Sequence, residues 1–186
     1  MSHERVRRLT GLAALAALSL VLLLAIPGIP LIPGFEFLRY DMADVPILLT
    51  GLSFGPLGAL LVLVVVSAIQ AFAVNSDGII GFTMHVVASG ILVLLPAFAY
   101  RRWPQLKHLI ISLVLGVLGM TVLMCGMNLL LTPLYTGLPV STVAGMLVPA
   151  VIPFNLLKGG INAVLAFVVF LALKPFLQRW LQRSQG

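Results

Sequence analysis

Three polar side chains interrupt an apolar stretch near the end of the chain: Asn155, Lys158 and Asn162, in "IPFNLLKGGINAVLAF". Steps of three and four place them on one face of a helix. Every other residue from Leu147 to Leu173 is apolar, proline or glycine, so this is the only polar stripe there and it should point inward. An ammonium at that depth in lipid costs several kcal/mol unless a partner or a water-filled cavity receives it. The chemistry open to an ammonium beside carboxamides is recognition, with donors and acceptors aimed at the hydroxyls or carbonyls of a small molecule. Asn128, in "CGMNLLLTPLY", sits at a similar depth in the preceding stretch and joins the group if the two helices are neighbours. The alternatives are a snorkelling lysine and amides that bond adjacent helices.

Other reactive residues are sparse. His85, in "GFTMHVVASG", has no second histidine, cysteine or carboxylate at ligand spacing, which gives a hydrogen-bonded interior residue and no metal site. The membrane region offers no paired carboxylates, no Ser–His arrangement and no His-Glu-x-x-His, so neither an enzyme nor a cofactor is expected. A single cysteine, Cys125, excludes an internal disulfide. In "FLRYDMADVP", Asp44 precedes Val-Pro at a helix start and is expected to cap it. Phe37 and Tyr40 either stack on a planar ligand or lie in an interfacial belt.

The elements that position these residues follow from composition. Of 186 residues, 61 % are apolar and 9 % charged, and mean hydropathy is +1.16, far from a soluble domain. Continuous apolar runs fit helices rather than a barrel. Hydropathy, with Gly and Pro as punctuation, predicts one six-helix membrane domain with spans near 9–27, 45–54, 56–74, 79–100, 108–132 and 149–174. The first run, ended by Pro27 and Pro30, reads as a retained span. The second is half the usual length before Gly55-Pro56 and must be tilted, partial or shielded.

The cations orient the bundle. With both termini cytoplasmic, Arg5, Arg7, Arg8, Arg101, Arg102, Lys107, Lys174, Arg179 and Arg183 fall inside; Arg39 is outside with Glu36, Asp41, Asp44 and Asp77. The net +6 is thus an orientation signal and not a nucleic-acid footprint. Two long connections, 27–44 and 132–145, lie outside and suggest a lid. No Gly-Lys-Ser/Thr phosphate loop is present, so coupling to ATP needs a partner. Ala13 and Ala17, four apart in "GLAALAALSLVLLL", offer a smooth helix side for docking one.

The order of "YDMADVPILLTGLSFGPLGALLV", "ASGILVLLPAFAYRR", "NLLLTPLY" and "LVPAVIPFNLLKGGINAV" resembles the substrate-binding S components of energy-coupling-factor (ECF) vitamin transporters, most closely their riboflavin-specific members. The resemblance implies an all-α six-helix bundle in a prokaryotic cell membrane, an outward ligand pocket covered by the first connection, and riboflavin as transported ligand. It implies assembly with a T component carrying two ATPase subunits. Ligand contact is carried over to Asn128, Asn155 and Lys158, and in the lid to Tyr40, Asp41, Met42 and Ala43. Ala13 and Ala17 match the coupling motif. One cation is thin provision for a phosphate dianion, which favours riboflavin over its phosphate. Another vitamin as ligand, or a non-transporting membrane scaffold, are the alternatives.

Overall fold

A computed structural model describes residues 3–26, 28–75 and 78–182, without the side chains of His3 and 177–182. Pro27, Asp77 and Arg183, and the side chain of Arg179, lie outside the described residues. The rest is almost entirely helical. Helix α1 spans His3–Ala25, α2 Asp44–Phe54, α3 Pro56–Ile69, α4 Gly78–Arg102, α5 Leu106–Thr136, α6 Val140–Met146 and α7 Ile152–Gln182. Two π-helical turns, Gln70–Val74 and Leu147–Val151, prolong α3 and join α6 to α7. Five segments among the described residues are long and apolar enough to cross a bilayer: Glu4–Ala25, Pro56–Val74, Gly78–Arg102, Leu106–Thr136 and Val140–Phe176.

The short α2 is shielded. Every residue from Asp44 to Leu52 is buried, packed by α1, α3, α4 and α7. A helix too short to span is thus held at the centre of the bundle, where no acyl chain reaches it. It ends at Gly55, whose φ of +85° is open to glycine at little cost, and Pro56 starts α3 with its missing N–H at a position that needs none. On the far side of the core, Gly116 lets α5 lie against the backbone of α4: a Cβ there would sit 3.2 Å from Leu92 Cα. The α4–α5 pair is the most extensive helix contact in the fold.

Outward-facing surfaces are apolar. Val122, Leu130, Val148 and Val164 are more than 60 % exposed, which water would penalise and lipid does not. Arg8 and Arg101 meet at one end of the bundle. Arg8 Nη2 donates to Phe54 O at 3.2 Å, and a Cβ on Gly55 would sit 3.4 Å from Arg101 Nη1, so the start of α1, the α2–α3 corner and the end of α4 meet there.

Two connections depart from expectation. The 132–145 stretch is not a long loop: α5 runs through Pro133 to Thr136, and only residues 137–139 separate it from α6. Pro133 loses one backbone hydrogen bond near the last turn, where the helix tolerates it; Gly137, at φ +73°, is the true stop. The first connection is an ordered hairpin, with β1 (Ile29–Pro30) antiparallel to β2 (Arg39–Tyr40). Its far end is tied into the bundle, which builds the site below.

Candidate ligand site

The polar stripe of α7 faces inward. Asn155 and Asn162 are 2 % and 0 % exposed, and Lys158 keeps 12 % of its side chain accessible, on a cavity of about 270 Å³. That is close to the lower end of the ~300–1,000 Å³ typical of small-molecule sites. The cavity opens between the π turn that ends α3, the first half of α4, the middle of α5 and the start of α7, with the end of the hairpin across it. Met84, Met120, Met124 and Phe154 supply its adaptable apolar wall.

The Lys158 ammonium is held by the hairpin. Its Nζ donates to Asp41 Oδ2 at 2.8 Å, and Asp41 is 11 % exposed. The other carboxylate oxygen accepts from Ala43 N at 3.1 Å, the short-range turn that fixes aspartates at chain reversals. One turn deeper, Tyr40 donates its hydroxyl to Asn162 Oδ1 at 2.9 Å. Burial pushes the Tyr40 phenol above its ordinary range, so it remains a donor at neutral pH. Two successive residues of the connection therefore dock on two members of the stripe, and Ser19 of α1 secures the next segment by donating to Ala43 O at 2.9 Å.

A second carboxylate lies behind the first. Asp44 is fully buried and does not cap α2 with its side chain. It points to α4, where it accepts from His85 Nε2 at 3.0 Å and Ser89 Oγ at 3.2 Å. The expected capping role is overturned because α4 offers two donors that the helix end does not match. The other ring nitrogen of His85, Nδ1, is hydrogen-bonded to Ser67 Oγ at 3.2 Å. A Ser67–His85–Asp44 chain thus exists, although the sequence showed no Ser–His arrangement. It is a structural relay and not a nucleophile: Ser67 is 0 % exposed in mid-helix, where the surrounding backbone N–H groups are used by the helix and leave no oxyanion site.

The residues singled out from sequence separate accordingly. Asp41, His85, Asn155 and Lys158 line the cavity. Asn155 donates to Val151 O at 2.8 Å, leaving its carbonyl oxygen to accept. Tyr40 and Ala43 are buried and hold the hairpin end, and Met42 is half-buried between its two anchors, Asp41 and Ala43. Asn128 lies one turn beyond the lining residue Met124 on α5 and is bonded within its own helix, to Met124 O at 2.8 Å and by Thr132 Oγ1 at 2.9 Å. Phe37 is 69 % exposed and packs edge-on to Phe35. Ala13 and Ala17 lie on the exposed side of α1, away from the bundle.

Sequence reasoning missed several lining residues. Gln70 had a signal, being the one carboxamide in the third apolar run. Met84, Met120 and Met124 had none, since methionine is equally at home in a core. Arg39 also lines the cavity, so two cations border it and one, Lys158, is already paired.

The bundle is almost wholly helical, and interior polar groups from α3, α4, α7 and the hairpin converge on one cavity. The family model described as ECF transporter, substrate-specific component, matches residues 7–170. The chain belongs to that family. Among curated relatives of this substrate-specific component, the riboflavin transporter FmnP of Bacillus subtilis is 31 % identical over 158 residues, covering 80 % of this chain and 82 % of the relative. The riboflavin transporter RibU of Streptococcus thermophilus is 31 % identical over 151 residues, 76 % and 72 % of the two chains. A solved structure described as the S component of a bacterial ECF transporter superposes with a TM-score of 0.76 at 29 % identity, covering 93 % of this chain and 98 % of the other.

Proposed function

We propose that this S component binds riboflavin from outside a prokaryotic cell and releases it inward when a T component with two ATPase subunits drives the bundle to reorient. Both termini are cytoplasmic in this reading, which puts the arginine-rich end inside and the hairpin outside. The observation that carries it is the cavity at Lys158: the chain keeps an ammonium, a carboxylate and carboxamides converging there, inside a bundle that is otherwise apolar. The relatives that share most of the chain are riboflavin transporters.

Riboflavin has an apolar tricyclic ring and a polyhydroxyl tail, which match methionine and phenylalanine walls with a few polar groups. Asn155 offers an acceptor and Lys158 donors, so these two bond the tail or the ring carbonyls. Asp41 accepts from a hydroxyl or exchanges Lys158 with the ligand. Asn128 closes the outer end of the site from α5, while Tyr40, Met42 and Ala43 set the hairpin over it. The exposed Ala13–Ala17 side of α1 receives the T component, because small residues let two helices approach closely.

The test is purification in detergent. A yellow preparation whose flavin fluorescence is quenched, with saturable riboflavin binding at submicromolar concentration, is the expected outcome. A colourless protein that riboflavin does not stabilise thermally overturns the assignment. A second reading, a flavin phosphate, is favoured by Arg39 beside the cavity; it predicts that FMN displaces riboflavin at equal concentration.

A further inference from the structure

The cavity contains one polar side chain whose needs the fold leaves unmet. Gln70 is 8 % exposed and lines the cavity, and its Oε1, enclosed against the protein wall, accepts from no donor; a half-turn of the amide plane about χ3 exchanges it with Nε2. A buried carboxamide oxygen without a partner is destabilising, and such groups are uncommon in native proteins unless something else supplies the bond. Gln70 also opens the π turn, closed by Asn75 N donating to Gln70 O at 2.8 Å. Five residues on from Gln70 is the far side of an α-helix with 3.6 residues per turn, whereas the wider π register stacks Asn75 over Gln70. Both carboxamides consequently border the same cavity. Isolated π turns of this kind recur at functional sites.

We infer that Gln70 is a specificity-determining contact that reads a ligand edge with a donor beside an acceptor. This rests on the riboflavin reading and goes one step further. The pyrimidine end of the flavin ring is a cyclic imide, with N3–H between two carbonyls. A carboxamide is its complement: Oε1 accepts from N3–H while Nε2 donates to a neighbouring carbonyl. Asn75 stands beside it as a second donor. Lys158 and Asn155 approach from α7 on another wall, so the ring is read at the imide edge by α3 and elsewhere by α7. An apolar tricycle without the imide leaves the Gln70 oxygen as orphaned as before, and a site built to bond a polar group rejects the analogue that lacks it.

The experiment compares riboflavin with 3-methylriboflavin, in which the N3 donor is replaced by a methyl group, on full-length protein in detergent. The wild type is expected to bind the methylated analogue at least about tenfold more weakly. Gln70→Leu, which keeps the side-chain bulk and removes the amide, is expected to bind riboflavin more weakly and to lose the discrimination. Gln70→Glu, which keeps the acceptor, is expected to retain part of it. Because the readout is a ratio within one protein, partial loss of folded material does not alter it. Equal discrimination in wild type and Gln70→Leu overturns the inference while leaving riboflavin binding intact, as does a wild type that binds both flavins alike. Failure of the wild type to bind riboflavin at all overturns the function itself.

Discussion

Asp41 and Asp44 are three residues apart, both carboxylates face the interior, and each meets a basic side chain. They do different work. Asp44 sits in the first turn of α2, is itself 0 % exposed, and its two oxygens are consumed by His85 and Ser89 of one neighbouring helix, on the wall of the cavity. Asp41 belongs to the hairpin connection, keeps 11 % of its side chain accessible, and bonds Lys158 across a cavity. The first pair joins two elements that have no reason to separate; the second joins a connecting segment to the helix it covers. A carboxylate that is wholly buried with both oxygens satisfied makes a strut, whereas one that itself borders empty volume makes a contact that a ligand can replace.

The comparison breaks most sharply at Asp44. Replacing it by alanine leaves His85 and Ser89 without the fully buried acceptor they share, and Asp44→Ala is expected to lower stability by about 3 kcal/mol, read as the unfolding midpoint in detergent. An unchanged midpoint would show that the first pair is no strut. Lys158→Met comes next. It strands Asp41 and removes a ligand donor, so it should cost about 1–2 kcal/mol of stability and lower riboflavin affinity roughly 10–100-fold. Adding Asp41→Leu should restore part of the stability and none of the affinity; a double-mutant cycle separates the two, since coupled neighbours do not add. Should the affinity return as well, Asp41 and Lys158 are another strut.

Asn155→Ala removes one acceptor and no charge, and a loss of about 1 kcal/mol in riboflavin binding is expected from titration of flavin fluorescence. The smallest effect on the ligand belongs to α1. Ala17→Leu fills an exposed surface far from the cavity, so riboflavin affinity stays at the wild-type value while co-purification with the T component falls. Weakened flavin binding in that variant would join two regions that the fold keeps apart.

Much of this was legible in the chain. Apolar runs of about twenty residues leave a helix as the only structure that satisfies its own backbone in lipid, so the helices lie where the runs do. The stripe of Asn155, Lys158 and Asn162 had to face inward for the same reason, since a period near 3.6 puts all three on one side and lipid forbids it on the other. Gly55-Pro56 announced its break through backbone geometry alone. The proline at 133 misled, because a helix near its end absorbs the loss of one hydrogen bond that a helix centre resists.

What the tertiary structure decided was partnership. Nothing local links Asp41 to Lys158, 117 positions away, or Tyr40 to Asn162, 122 away, and nothing marks Asp44 for α4 rather than for its own helix end. Hydropathy and helical period are properties of a segment and its solvent, readable one segment at a time. The choice of hydrogen-bond partner depends on which segments the packed core brings within 3 Å of each other, and that is a property only of the folded whole.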